Sequence, residues 1–329
     1  MFYSIIIPVY NRPDELDELL YSLSRQTYTN FEIIAVDDGS SIPCKNIVEK
    51  YNQELPIRYF YKSNSGPGQS RNYGANESNG DYLIFLDSDC IVPSQYLATI
   101  ENELLENKVD LFGGPDRAHF SFSNIQKAIN YSMTSVLTTG GIRGNKKSID
   151  RFYPRSFNMG VRKEAFEKIG GFSDMRFGED IDFSIRVLNN GYQSRLLVNS
   201  WVYHKRRTDF KKFFKQVFNS GMARVDLWKR HSKSLKIVHI LPTLFISYFL
   251  VCVLLSCCFW FISIPFLLFV ALIFIDALVK TKSVTVSLLS ICSSFIQLAA
   301  YGSGFVFAVL KNIFLKSKKY SAFDDTFYQ

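Results

Sequence analysis

The first part of the chain alternates short apolar runs with segments of helical periodicity. Apolar and β-branched residues dominate 4–9, 31–36 and 82–86, and each run has the length of a buried strand; "IRYFYKS" at 57–63 is a further predicted strand, the third in chain order. Between the first two runs, the leucines of 16–23 fall on one face of a helix whose first turn is acidic. Strands that alternate with helices predict an α/β domain, with a mostly parallel sheet and helices on both of its faces.

The end of the chain is far more apolar than its start. No charged residue occurs from Leu241 to Ile275, a stretch well above the ~20 residues that one bilayer crossing requires. It predicts a helical hairpin that reverses near Trp260–Pro265, because Pro interrupts a helix and Trp favours the membrane interface. A third apolar segment, Val284–Leu310, brings the expected number of spans to two or three.

Charge leaves the number of spans open. The tail at 311–320, "KNIFLKSKKY", is basic, and basic segments stay in the cytoplasm, which favours an even number of spans. Counting apolar segments gives three. The first residues, "MFYSIIIPVYN", lack the basic start of a signal peptide, so we expect the N-terminal domain to face the cytoplasm.

The positive charge of the chain is concentrated just before the predicted hairpin. The net charge is +8, and basic residues are densest between His204 and Lys236. Apolar residues recur at helical spacing from Phe210 to Val225, which predicts a basic amphipathic helix. We expect this helix in the headgroup layer, and the adjacent spans argue against a nucleic-acid-binding arm. The six cysteines show no spacing that would hold zinc.

Polar side chains follow each of the first four predicted strands. Because the carboxyl ends of parallel strands meet at one edge of a sheet, these side chains are expected to face a ligand there. Any one of them could equally cap a helix or form a turn. The pairs are Tyr10 and Asn11, Asp37 and Asp38, Ser63 and Asn64, and Asp87 and Asp89.

A glycine-rich loop, "NSGPGQSRNYG", follows the third strand. It lacks the third glycine of a dinucleotide fingerprint and follows the wrong strand, so NAD is disfavoured. Backbone amides, a helix N-terminus and Arg71 suit a phosphate instead. Asp87 and Asp89 offer hard oxygen ligands for Mg²⁺ or Mn²⁺, which would bridge a diphosphate.

A second acidic group lies downstream in "GEDIDFSIRV". Glu179, Asp180 and Asp182 fall in the first turn of a predicted helix. Carboxylates there stabilise the helix dipole. The functional alternative is a general base for an acceptor hydroxyl.

These segments together resemble the family 2 glycosyltransferases, which have the GT-A fold. The resemblance implies a nucleotide-sugar donor, an inverting single displacement and a divalent cation. It covers residues 1–206 and rests on "SIIIPVYNRPDEL", "VDDGS", "GPGQSRNYGANESNGDYLIFLDSDC", "FNMGVRKEAFEKIGGF", "GEDIDFSIRV" and "VYH", in the family's order.

For the nucleotide, the resemblance implies contacts from three parts of the chain. Pro8, Tyr10 and Asn11 would line the nucleoside. Asp38 would bond the base, and Arg71 would lie near the diphosphate.

For the chemistry, the resemblance implies a metal motif and a base. Asp87 and Asp89 would be the DxD metal motif, with His204 as a further ligand for Mn²⁺ or Mg²⁺. Asp180, in the match to the family's "ED" motif, would deprotonate the acceptor.

Membrane-bound members that extrude a polymer carry a QxxRW motif. Gln216 and Trp228 are too far apart to supply it, so we expect transfer of a single sugar, from a UDP-sugar by preference, to a lipid-linked saccharide at a bacterial inner membrane. The segment 140–155 is the expected acceptor loop. A polyprenyl-phosphate sugar synthase, a nucleotidyltransferase and a catalytically silent scaffold are the alternatives.

The sequence therefore predicts four regions along the chain. They are a GT-A catalytic domain at 1–206, a basic amphipathic region at 207–236, transmembrane helices at 237–315 and a polar tail at 316–329.

Overall fold

A computed structural model of the protein describes residues 1–119, 121–139, 152–256 and 258–315. The chain forms two compact units. The first combines residues 1–119 with 148–205, and the second combines 120–147 with the chain from 206 onward. The second unit thus takes in part of the 1–206 segment that was predicted as one domain.

A seven-stranded sheet forms the centre of the first unit, in the order β3-β2-β1-β4-β8-β6-β9. The first four strands are parallel, as predicted. β8 is antiparallel to both β4 and β6, so the full sheet is mixed. The strands are β1 (Tyr3–Val9), β2 (Phe31–Asp37), β3 (Ile57–Tyr61), β4 (Tyr82–Leu86), β6 (Leu111–Gly113), β8 (Asn158–Arg162) and β9 (Ser194–Leu196).

Three very short strands form a second sheet in the same unit. β10 lies in the middle, antiparallel to β5 and parallel to β7. In this register His204 lies opposite Cys90. The strands are β5 (Cys90–Ile91), β7 (Asp116–Arg117) and β10 (Val202–His204).

Helices cover both faces of the large sheet, because its inner strands are apolar on both sides. In β1, Ile5 and Ile7 belong to one core cluster and Ile6 to the other, and all three are fully buried. Such two-sided burial is typical of parallel strands. The helices of this unit are α1 (Pro13–Ser24), α2 (Lys45–Lys50), α3 (Pro67–Asn76), α4 (Tyr96–Glu106), α7 (Lys163–Ile169) and α8 (Glu179–Asn189).

All regular secondary structure in the described residues of the second unit is helical. Short 3₁₀ turns at Ser232–Ser234 and Trp260–Ser263 interrupt it, and the second of these is where the hairpin was predicted to reverse. The helices are α5 (Asn124–Thr134), α6 (Val136–Thr139), α9 (Phe210–Arg230), α10 (Ile237–Leu255), α11 (Ile264–Thr281) and α12 (Val284–Leu315).

Three segments of this unit are long and apolar enough to cross a membrane: Ile237–Leu255, Trp260–Thr281 and Val284–Ile313. The predicted basic amphipathic helix is α9. Its apolar side packs against α12, where Phe213 and Val217 are buried in one cluster with Ala300. A neighbouring helix thus covers the apolar side of α9, and the location of α9 in the headgroup layer stays a prediction.

Candidate active site

Asp37 and Asp38 end β2 with different surroundings. Asp37 is fully buried and accepts hydrogen bonds from the backbone amides of Ser40 (2.9 Å) and Cys44 (3.1 Å) and from the Tyr59 hydroxyl (2.8 Å). These contacts hold the loop after β2. The hydrogen bonds of the Asp37 carboxylate therefore stabilise the protein fold at this point.

Asp38 joins the end of β2 to the glycine-rich loop. Its carboxylate accepts from the backbone amides of Ser65 (2.9 Å) and Gly66 (2.8 Å), and it forms an ion pair with Lys62. Gly66 has a φ of 90°, in the region that favours glycine, and α3 begins at the next residue. Asp38 thus fixes the loop that opens α3.

The residues after β1 support a neighbouring loop. Asn11 has a left-handed backbone, with a φ of 53°, and its amide donates to the Ser40 hydroxyl (2.9 Å). Its side-chain oxygen accepts from Ser41 (3.0 Å). Pro8 and Tyr10 are half-buried beside it in sequence. Asn11 therefore ties the loops after β1 and β2 together at the predicted edge of the sheet.

Arg71 is almost completely buried, with only 2% of its surface exposed. Its guanidinium lies between two carboxylates, 2.6 Å from Asp87 and 2.9 Å from Glu179. Its guanidinium carbon lies over the Phe172 ring, 5.6 Å from the ring centroid. One guanidinium therefore joins the acidic residue after β4 to the start of α8.

Glu179 has an unusual ionisation as a result of its position. The pKa of this carboxyl is raised to about 7: burial raises it most, the negative charge of Asp180 also raises it, and Arg71 lowers it. Near neutral pH the side chain is thus partly protonated. Glu179 was predicted only as one of three acidic residues in a helix turn, and its contact with Arg71 could not be foreseen.

Asp180 lies beside Glu179 in the first turn of α8. It is 8% exposed, and its carboxylate lies 3.4 Å from the Arg155 guanidinium and accepts from the backbone amide of Ile181 (2.8 Å). Asp182 instead pairs with Arg186 (2.9 Å), one turn along the helix. Of the three acidic residues, Asp182 is therefore committed to α8 itself.

Asp89 and His204 meet through the pairing of β5 with β10. His204 Nε2 lies 3.1 Å from an Asp89 carboxylate oxygen, and His204 Nδ1 lies 4.0 Å from Asp116. The ligand atoms of Asp89, Cys90 and His204 all lie within 4.8 Å of one another. A carboxylate and an imidazole in this arrangement fit a divalent cation.

Cys90 contributes less to such a site than its position suggests. It is 1% exposed, and burial raises the pKa of its thiol well above the ordinary range. A neutral thiol is a poor ligand for a hard cation. Asp89 and His204 are therefore the fitting pair, whereas Asp87 points to Arg71.

Two basic side chains of the site were missed in the sequence. Arg12 lies 3.0 Å from the second carboxylate oxygen of Asp89, and Lys62 pairs with Asp38. Arg12 directly follows the polar pair after β1, and Lys62 directly follows β3, so a position at a strand end was the signal available in the sequence. The expected acceptor loop, 140–155, lies outside the described residues except for its last four, of which Arg155 reaches Asp180.

A comparison with known protein families shows to which family the chain belongs. The family described as glycosyl transferase family 2 matches residues 4–170. The chain belongs to this family. An uncharacterized glycosyltransferase of Haemophilus influenzae is 34% identical over 194 residues, which cover 56% of this chain and 61% of that protein. Glycosyltransferase AglE of Haloferax volcanii is 28% identical over 71% of this chain and 77% of its own.

Solved structures agree on the fold of this family 2 glycosyltransferase. The mannosyltransferase PcManGT from Pyrobaculum calidifontis, in complex with GDP-Man and Mn²⁺, has a TM-score of 0.65 at 15% identity, over 96% of this chain and 88% of that one. S. aureus TarS 1–349 in complex with UDP-GlcNAc has a TM-score of 0.51 at 18% identity, over 94% and 92%. At these identities the likeness establishes the GT-A fold alone.

Proposed function

We propose that this family 2 glycosyltransferase moves a single sugar, with inversion, from a nucleotide-sugar donor to a hydroxyl of a lipid-linked saccharide in cell-surface polysaccharide assembly. The observation that carries the proposal is the double contact of Arg71. Because the guanidinium holds both Asp87 and Glu179, it sets the DxD segment beside the helix turn that carries Asp180. A donor site and an acceptor base need this proximity.

The donor would occupy the edge where the parallel strands end. The nucleoside would lie near Pro8, Tyr10 and Asn11, with Asp38 reading the base. Asp38 is already bonded to the loop at Gly66 and thereby fixes the start of α3, whose first backbone amides would approach the phosphates. The comparison proteins in complex with GDP-Man and with UDP-GlcNAc support a nucleotide-sugar donor, and we prefer a UDP-sugar.

Asp89 and His204 would hold Mn²⁺ or Mg²⁺, with Asp87 as the remaining member of the DxD motif. When bound, the cation would neutralise charge that develops on the departing diphosphate. The Mn²⁺ in the PcManGT complex supports this assignment. The guanidinium of Arg71 would add a fixed positive charge on the same side.

Asp180 would act as the general base. Its carboxylate would accept the proton of the acceptor hydroxyl while the hydroxyl oxygen bonds to the anomeric carbon. The bond from that carbon to the diphosphate oxygen breaks, and the nucleoside diphosphate leaves with the electron pair. Arg155, at 3.4 Å, would orient the Asp180 carboxylate for this step.

The second part of the proposal concerns the identity of the acceptor. Three segments are long and apolar enough to cross a membrane, which supports an acceptor that is held in the bilayer, such as a lipid-linked saccharide. A polyprenyl-phosphate sugar synthase is the alternative, and its acceptor is already an anion. Such an enzyme would need Asp180 far less, because no hydroxyl has to be deprotonated.

The test is release of nucleoside diphosphate by the detergent-solubilised full chain. UDP-, GDP- and dTDP-sugars are supplied with and without Mn²⁺ and a lipid extract as acceptor. We expect release from one donor that depends on metal and is lost in Asp89→Ala and Asp180→Asn. Asp14→Asn, an exposed carboxylate on α1, is the matched control and should keep wild-type activity.

Each outcome separates the candidates. Full activity of Asp180→Asn with a lipid phosphate acceptor would favour the polyprenyl-phosphate sugar synthase. Labelled nucleoside in the product would indicate nucleotidyl transfer. Binding of a donor without release under any condition would refute transfer and favour a silent scaffold.

A further inference from the structure

By length and composition α12 could cross a membrane, but its surroundings differ from those of α10 and α11. Inside the protein, 39% of its most apolar window is buried, against 17% for α10 and 11% for the segment that contains α11. Four serines of α12 are fully buried. They are Ser287, Ser290, Ser293 and Ser294. Protein, rather than lipid, therefore surrounds much of this helix.

The main neighbour of α12 is the basic helix α9, which runs beside it in the same direction. Toward the start of α9, Phe213 packs with Ala300. Further along, Met222 and Val225 pack with Phe305. The side-by-side packing thus extends along α9 from Phe213 to Val225 and along α12 from Ile296 to Val309, about three turns of each helix.

Glycines bring the two backbones into direct contact. A Cβ atom at Gly304 of α12 would collide with the carbonyl of Phe218, and one at Gly221 of α9 would collide with the carbonyl of Tyr301. Small residues of this kind allow helices to pack closely. The two helices are therefore a fixed pair and must share one environment.

The side of α9 that faces away from α12 is charged. Lys211, Lys212 and Lys215 are exposed at its start, and Lys229 and Arg230 are exposed at its end. Such side chains are rare and costly in the hydrocarbon of a bilayer. If α12 crossed the bilayer, the part of α9 that packs against it would enter the hydrocarbon with its exposed lysines.

We infer that α12 does not cross the membrane but lies along its surface, paired with α9, on the side where α9 begins. The exposed apolar residues Val306, Leu310 and Ile313 recur at helical spacing and would dip below the headgroups. The lysines of α9 would meet the phosphates of the lipid headgroups. The partner of this paired surface is thus the headgroup layer of the bilayer.

Only α10 and α11 then enter the hydrocarbon. Their exposed side chains near the turn are apolar, including Leu254, Trp260 and Leu267. The charged residues of α11, Asp276 and Lys280, lie near its end, where Asp276 accepts a hydrogen bond from Tyr131 of α5 (2.7 Å). A hairpin returns the chain to the side it came from, which resolves the number of crossings as two.

Labelling of cysteines in sealed vesicles tests the side on which α12 ends. In the full chain, Cys257, Cys258 and Cys292 are replaced by Ser, and buried Cys44, Cys90 and Cys252 are kept. Single cysteines are then added as Ser41→Cys in the first unit, Thr285→Cys at the start of α12 and Ser317→Cys after its end. A membrane-impermeant maleimide is applied to vesicles of both orientations.

In the vesicle orientation in which Ser41→Cys and Thr285→Cys are labelled, we expect Ser317→Cys to be labelled as well. In vesicles of the opposite orientation, we expect none of the three variants to be labelled. The chain without an added cysteine is the blank, and each variant must elute from size exclusion as the wild type does. Labelling of Ser317→Cys only from the side opposite to Thr285→Cys would overturn the inference. Protection of Ser317→Cys from both sides would overturn it as well.

Discussion

Replacement of Glu179 by Gln should remove a specific part of the pH dependence of stability. In the folded protein the pKa of Glu179 is about 7, against an ordinary 4.5. Because the folded pKa is the higher one, the carboxyl contributes stability that is fully present below pH 4.5 and lost as the pH rises through 7. Between pH 5 and pH 8 the loss amounts to about 2–3 kcal/mol.

The assay is thermal unfolding of the detergent-solubilised full chain at both pH values. At 2–4 °C per kcal/mol, the wild-type midpoint should fall by roughly 5–10 °C relative to that of Glu179→Gln between pH 5 and pH 8. Gln keeps the shape of the side chain and its place beside Arg71 but does not titrate. Parallel midpoints of the two proteins across this range would refute the reasoning, since burial would then not disfavour the charged carboxyl.

Three further changes test other parts of the molecule. Asp89→Ala should weaken Mn²⁺ binding, measured by electron paramagnetic resonance, because a charged ligand is lost. Gly304→Val should lower the unfolding midpoint by overpacking worth ~1–3 kcal/mol, since the added carbons meet the α9 backbone. Lys62→Met should destabilise by about 3–5 kcal/mol, because Asp38 is left buried without its cation.

Each of these changes has a matched control. For metal binding it is Asp14→Asn, whose affinity for Mn²⁺ should equal that of the wild type. For the helix pair it is Val306→Leu, an exposed position two residues away from Gly304. For the buried carboxylate it is Lys62→Arg, which keeps the charge. A control that is as damaging as its variant would contradict the cause assigned to that variant.

Three of the four strands predicted in the first part of the chain consist of consecutive buried residues. β1, β2 and β4 are apolar on both faces, and their pattern alone identifies them. β8 escaped prediction because its pattern has meaning only with a partner: Gly160 leaves room for the Phe112 ring of the neighbouring strand. A strand that depends on a residue far along the chain carries no local signal.

In the candidate site, too, some features could be predicted from the sequence and others could not. The acidic positions followed from strand ends and a helix start, but which charges meet did not. Arg71 was expected near a diphosphate, and the structure shows it held by Asp87 and Glu179. The partner of Asp89 across the small sheet, His204, depends on the β5–β10 register, which no local pattern encodes.

The position of β10 sets the order in which the enzyme can be completed during synthesis. The strand supplies His204 and is the last one of the described catalytic unit, placed between β5 and β7. A growing chain cannot join Asp89 to His204 until nearly all of this unit has left the ribosome, and the next segments to emerge are α9 and the apolar hairpin. The active site is therefore finished at the moment when the chain becomes able to reach a membrane.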